Sequence, residues 1–134
     1  MNHYNKKYEL ALDLGFATIF HNKEDGILLI RYTEETEVDL TKAEIVIDSV
    51  HKILKDGKTP YGFTDATAKR IHITPAARKA YRDNPSMRLN KKHAILVKGL
   101  SNRILANAFI KYDKPIVDSK IFNDFQDAET WLLS

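Results

Sequence analysis

The chain has 134 residues, 43% of them hydrophobic and 29% charged, with no Cys, five Gly and four Pro. That length and apolar fraction suit one domain, 1–134, and exclude a disordered chain; the lack of Cys excludes disulfides, a thiolate nucleophile and Cys-type zinc or iron–sulfur sites. The net charge of +3 is modest, and no apolar run approaches the ~18 residues of a membrane span, so a cytoplasmic protein without membrane insertion is expected.

Tyr8 to Leu14 alternates Tyr and Leu with Glu, Ala and Asp, the period of a half-buried strand, and Gly15 ends it. Phe16–His21 and Ile27–Tyr32 flank Asn22-Lys23-Glu24-Asp25-Gly26, whose Asp-Gly favours positive φ and predicts a hairpin. The first 32 residues therefore read as a three-stranded antiparallel meander. Thr41-Lys42-Ala43-Glu44 fits a capping box, between Leu40 and Ile45 as a hydrophobic staple. The stripe Ala43, Val46, Ile47, Val50, Ile53 and Leu54 predicts a helix ended by Asp56-Gly57.

Pro60 to Asp65 reads as a short strand. Thr74-Pro75 opens a second helix, with Thr74 as N-cap and Pro at the first position, which stops before Asn84-Pro85. Lys92 to Lys98 is an apolar run bounded by bases, the pattern of a strand buried on both faces. A third helix is expected from a Ser101 cap to Lys114-Pro115, a last strand over 116–122, and a closing helix after Asp124. Helices alternating with strands after an antiparallel start predict an α/β (α+β) fold. Its mixed sheet would have a parallel C-terminal half, with about four helices mainly on one side. Leu12, Val46, Val97 and Trp131 are expected to share one interior.

Charge is distributed unevenly. Residues 9–48 hold ten acids and three bases, whereas 69–103 hold ten bases and one acid. Complementary thirds on one chain suggest a homodimer whose ionic interface would weaken in sedimentation experiments as salt rises. The basic stretch lacks interleaved aromatics and matches no RNP, KH or helix-turn-helix pattern, so nucleic acid is not an expected partner. The five His show no metal-ligand spacing and no Gly-rich phosphate loop is present, so no metal, cofactor or catalytic set is expected.

The stretch with functional character is Thr64-Asp65-Ala66-Thr67-Ala68-Lys69-Arg70, at the carboxyl end of a central strand, where open α/β sheets bind ligands. Asp65 and Thr67, with Arg70 and with Arg78 and Arg82 one turn apart on the next helix, form the candidate partner- or anion-binding set. The plainer alternative is that Asp65 and Thr67 satisfy backbone amides in the crossover. A third reading gathers Asp65, His72 and Tyr81 into an acid–base site.

Asp25-Gly26-Ile27, Phe63-Thr64-Asp65, Ile73-Thr74-Pro75-Ala76-Ala77-Arg78, Ala94-Ile95-Leu96-Val97, Arg103 to Phe109, and Phe122-x-Asp124-x-x-x-Ala128-x-x-Trp131-Leu132 together resemble the SpoIIAA-like proteins of the STAS/SEC14 fold group. The resemblance covers roughly residues 25–133 and implies a connectivity like that of anti-sigma-factor antagonists. Those relatives bind partner proteins and are switched by phosphorylation at the start of the helix after a central strand. Their Asp-Ser-Ser/Thr-Gly is here Asp65-Ala66-Thr67-Ala68, followed by an extra loop before the helix, so only Asp65 and Thr67 correspond. The resemblance implies a non-enzymatic regulatory module with an unidentified protein partner. The SEC14 side of the group implies the alternative, a small-molecule or lipid-like ligand held in an apolar pocket between the antiparallel start and the helices.

Overall fold

A computed structural model describes residues 4–115 and 117–134, with the side chains of residues 87, 88, 112 and 113 excepted. The expected strand start at Ile116 lies outside the described residues. Six strands form one sheet: β1 (Glu9–Asp13), β2 (Ala17–Asn22), β3 (Ile27–Tyr32), β5 (Tyr61–Ala66), β7 (Lys92–Val97) and β8 (Asp118–Phe122), in the order β1-β2-β3-β5-β7-β8. β1, β2 and β3 are antiparallel, and the steps from β3 through β5 and β7 to β8 are parallel. Two short strands, β4 (Glu37–Val38) and β6 (His72–Ile73), make a separate parallel ladder. The helices are α1 (Leu40–Leu54), α2 (Pro75–Asp83), α3 (Leu100–Ala108) and α4 (Phe125–Leu132). A 3-10 turn over Pro85–Leu89 follows α2, and a π-helical turn over Phe109–Asp113 extends α3.

The β2–β3 hairpin forms where Asn22 is buried and its Oδ1 accepts from the Asp25 amide at 3.0 Å. Gly26 follows at φ +72°, and a Cβ there would lie 2.9 Å from Pro60 Cδ. The turn therefore needs Gly for both conformation and space. α1 starts earlier than the capping box suggests: Asp39 is the N-cap and its Oδ1 accepts from the Lys42 amide at 2.9 Å. The β4–β6 ladder fixes the chain one residue before, and a carboxylate at this end also favours the helix dipole. α2 begins as expected, with Thr74 accepting from the Ala77 amide. α3 does not: its N-cap is Gly99 at φ +86°, without a side-chain cap, and Ser101 lies inside the helix.

Side chains alternate across each strand, so the sheet has two buried faces. α1, α2 and α3 cover one, over Ile19, Leu28, Tyr32, Ile95 and Val97, with Val46, Val50, Leu54, Ala77 and Ala106 from the helices. The short α4 covers part of the other, packing Ala128 and Leu132 against Ile27, Leu29, Phe63, Ala94 and Leu96, beside Tyr8. Lys92 Nζ donates to the Trp131 carbonyl at 2.9 Å and stands over the Trp131 ring, fixing α4 to the sheet. The expectation of one shared interior is thus corrected: Val46 and Val97 belong to one face and Trp131 to the other. Leu12 is 39% exposed. Alternation fails in β1 because the pairing shifts between Leu10, opposite Phe20, and Leu12, opposite Ile19. The bulge turns the two leucines to opposite faces of an edge strand.

Candidate functional site

Because α4 has only eight residues, it leaves the carboxyl ends of β3 and β5 uncovered on its side of the sheet. An open groove of about 910 Å³ lies there, with Leu10, Thr18, Phe20 and Arg31 among the residues of its floor and Thr67, Lys69 and Lys98 at its rim. Arg31 has the same parity as Ile27 and Leu29, pairs across the sheet with Asp65, and is partly buried. Among the described residues no hydrogen bond or ion pair engages its guanidinium.

Beside Arg31 the carboxylate of Asp65 is satisfied from three sides. The Tyr4 hydroxyl donates to Oδ2, and the Thr67 amide and hydroxyl donate to Oδ1 at 3.0 and 2.6 Å. Burial, the bond to Asp65 and that negative charge together raise the Tyr4 hydroxyl well above the usual tyrosine range. Tyr4 therefore remains a donor, holding the N-terminal segment on the sheet. Asp65 is the local organiser of the crossover loop, and the Thr67 hydroxyl faces that carboxylate. The first turn of α3 is bound to the same loop: Asn102 Nδ2 donates to the carbonyls of Ala66 and Ala68 at 2.9 and 3.1 Å.

The five residues singled out from the sequence are not gathered into one cluster. Asp65 and Thr67 adjoin the groove. Arg70, in the left-handed region at φ +57°, pairs with Glu35 on the exposed surface. Arg78 lies across the sheet, under the α2 side, and donates to the Ile73 carbonyl at 3.1 Å. Arg82 is held by the adjacent Asp83 at 2.8 Å, and that guanidinium keeps the Asp83 carboxyl below its ordinary range. The acid–base grouping of Asp65, His72 and Tyr81 does not form, since Asp65 and Tyr81 sit on opposite faces and His72 is exposed. Among the described residues no three potential metal ligands lie together, and no helix is long and apolar enough to cross a membrane.

Next to the groove, α3 turns apolar side chains outward: Leu100 is 73% and Ile104 58% exposed. Lys98 and Arg103 flank them, around a shallow depression at the start of the helix. Sequence reasoning missed both Arg31 and this outer stripe. Arg31 was detectable as a charge on the buried parity of an otherwise apolar strand. Leu100 and Ile104 sit at helical spacing i, i+4, which single-sequence periodicity cannot distinguish from a core-facing stripe.

A second, smaller cavity of about 140 Å³ opens on the other face of the sheet, between α2 and α3. It is not at the antiparallel start, where the sequence reading put an apolar pocket, but over β3, β5 and β7.

The chain belongs to the family described as Domain of unknown function (DUF7793), whose model matches residues 21–134. No curated protein matches it. Among solved structures, it is similar to an uncharacterized protein of the DUF3478 family with a SpoIIAA-like fold from Shewanella loihica PV-4. That likeness has 15% identity and a TM-score of 0.62 over 92% of this chain and 99% of the other. It is also similar to an anti-sigma factor antagonist from Mycobacterium paratuberculosis, at 14% identity and a TM-score of 0.56, over 88% and 95% of the two chains. The fold is therefore SpoIIAA-like, as the sequence resemblance implied.

Proposed function

We propose that this member of the DUF7793 family is a non-enzymatic, cytoplasmic regulatory module that binds a protein partner through the groove floored by Arg31 and the outer face of α3. The observation that carries the reading is Arg31 itself. A partly buried guanidinium with no hydrogen-bond or ion-pair partner among the described residues, in a groove lined by Lys69 and Lys98 as well as by Asp13 and Glu34, suits a carboxylate supplied from outside. The exposed Leu100 and Ile104 beside it suit an apolar anchor, and this combination of a hydrophobic centre and a charged border is that of a transient interface. The expected partner surface is accordingly acidic around an apolar side chain. The fold it shares with an anti-sigma factor antagonist supports a regulatory role.

The test is affinity capture from the native lysate with the wild-type chain, Arg31→Met and the pair Leu100→Asp, Ile104→Asp. A specific protein held by the wild type and lost, by roughly tenfold or more in affinity, from both variants is the expected result. Equal capture by all three would exclude this surface.

A further inference from the structure

We infer that the cleft between α2 and α3 is a binding site for a small, neutral, single-ring aromatic molecule bearing one hydroxyl group, anchored on Thr64. This site lies on the opposite face of the sheet from the Arg31 groove and stands independently of the proposed partner surface.

Size sets the first limit. About 140 Å³ is close to the volume at which an apolar protein cavity accepts benzene, roughly 150 Å³. Wall chemistry sets the second. Ile30, Ile95, Ala106 and Phe109 supply apolar surface, and Tyr32 and Tyr81 add ring faces, against which another ring packs edge-on or offset. The neighbouring helix is irregular where it borders the cleft, since Phe109 begins the π-helical turn, a distortion that recurs at ligand sites.

Polarity sets the third limit. Thr64 Oγ1 and His93 Nε2 are 2.7 Å apart, and the Tyr32 and Tyr81 hydroxyls are 2.8 Å apart. In either tautomer of His93 the Thr64 hydroxyl retains hydrogen-bonding capacity beyond its bond to the ring. If the hydroxyl donates to the ring, a lone pair can accept from a ligand O–H; if the ring donates, the hydroxyl can donate to a ligand oxygen. Burial holds the His93 imidazole down to about 4, so it is neutral near neutral pH and offers no charge to an anion. Among the described residues the charged side chain on the cleft is Arg78, whose Nη1 donates to the Ile73 carbonyl. A carboxylate anchored on Thr64 would meet a neutral imidazole and two tyrosine hydroxyls already paired with each other, and would lose its hydration for one hydrogen bond, so a neutral molecule is favoured at this anchor.

The experiment is an amide chemical-shift titration of the full chain with phenol, benzoate and benzene. Saturable phenol shifts centred on Thr64, His93, Leu105 and Phe109, with benzoate much weaker, are expected. Ala106→Leu should fill the cleft and abolish them. Thr64→Val keeps the volume and removes the hydroxyl; it should weaken phenol by up to about tenfold and leave benzene unchanged. Absence of saturable phenol shifts, benzoate binding as tightly as phenol, or phenol binding unaltered by Thr64→Val would each overturn the assignment. Thr64→Val decides the question even if Ala106→Leu does not fold.

Discussion

His93 is a single side chain whose surroundings change its ordinary chemistry, and the change leaves a measurable trace. The His93 ring lies over the sheet beneath α2 and α3, where burial lowers its proton affinity from the ordinary value of 6.5 to about 4. Between those values the unfolded chain binds a proton that the folded chain rejects. The contribution is therefore intact above about pH 6.5 and is lost as pH falls towards 4, at most about 3 kcal/mol. His21, lowered by its own burial and by Lys23, acts in the same direction. Denaturant midpoints for the wild type should fall more between about pH 7 and about pH 4.5 than those of His93→Gln, which retains His21. Parallel slopes would contradict the burial of this imidazole. The role of His93 was not legible from residue spacing. A His inside Lys92–Val97 has the right parity for the interior, but its Thr64 partner comes from a strand 29 residues away.

At the scale of elements, the sequence was read most accurately where a local side chain decides the backbone. Thr74-Pro75 begins α2 and Asp124 begins α4, its carboxylate accepting from the Asp127 amide at 3.0 Å. Errors arose where two local solutions competed or where tertiary structure intervened. For α1 both Thr41 and Asp39 are adequate caps, and the β4–β6 pairing, invisible in a local pattern, selected Asp39. Asp39→Ala should therefore lower stability by about 1 kcal/mol in thermal or urea unfolding, while Thr41→Ala should be near neutral. The reverse order would restore the capping-box register. In β1 strict alternation is a poor guide because the bulge between Leu10 and Leu12 reverses the side-chain direction partway along the strand. The start of α3 shows a third kind of miss: a Gly at φ +86° turns the chain directly into the helix, so no side-chain cap advertises it.

For the molecule as a whole, element order carried much of the architecture, because alternating strands and helices with right-handed crossovers admit few topologies. It could not say how much of each face the helices cover. Three helices close one face, leaving a small cleft between two of them, while a single two-turn helix leaves the other face open at the strand ends. The basic third is likewise divided by the fold. Lys91 and Lys92 lie at the entry end of β7 and Lys98 at its exit, so only the exit end borders the groove. The central claim, that this exit end with the outer face of α3 is the contact surface, is tested most directly by placing a photo-crosslinking amino acid at Ile104 in the intact chain inside the native cell. The control position is Lys52, exposed on α1. A discrete protein adduct from position 104 and none from position 52 is expected; no adduct at 104, or equal adducts at both positions, would contradict it.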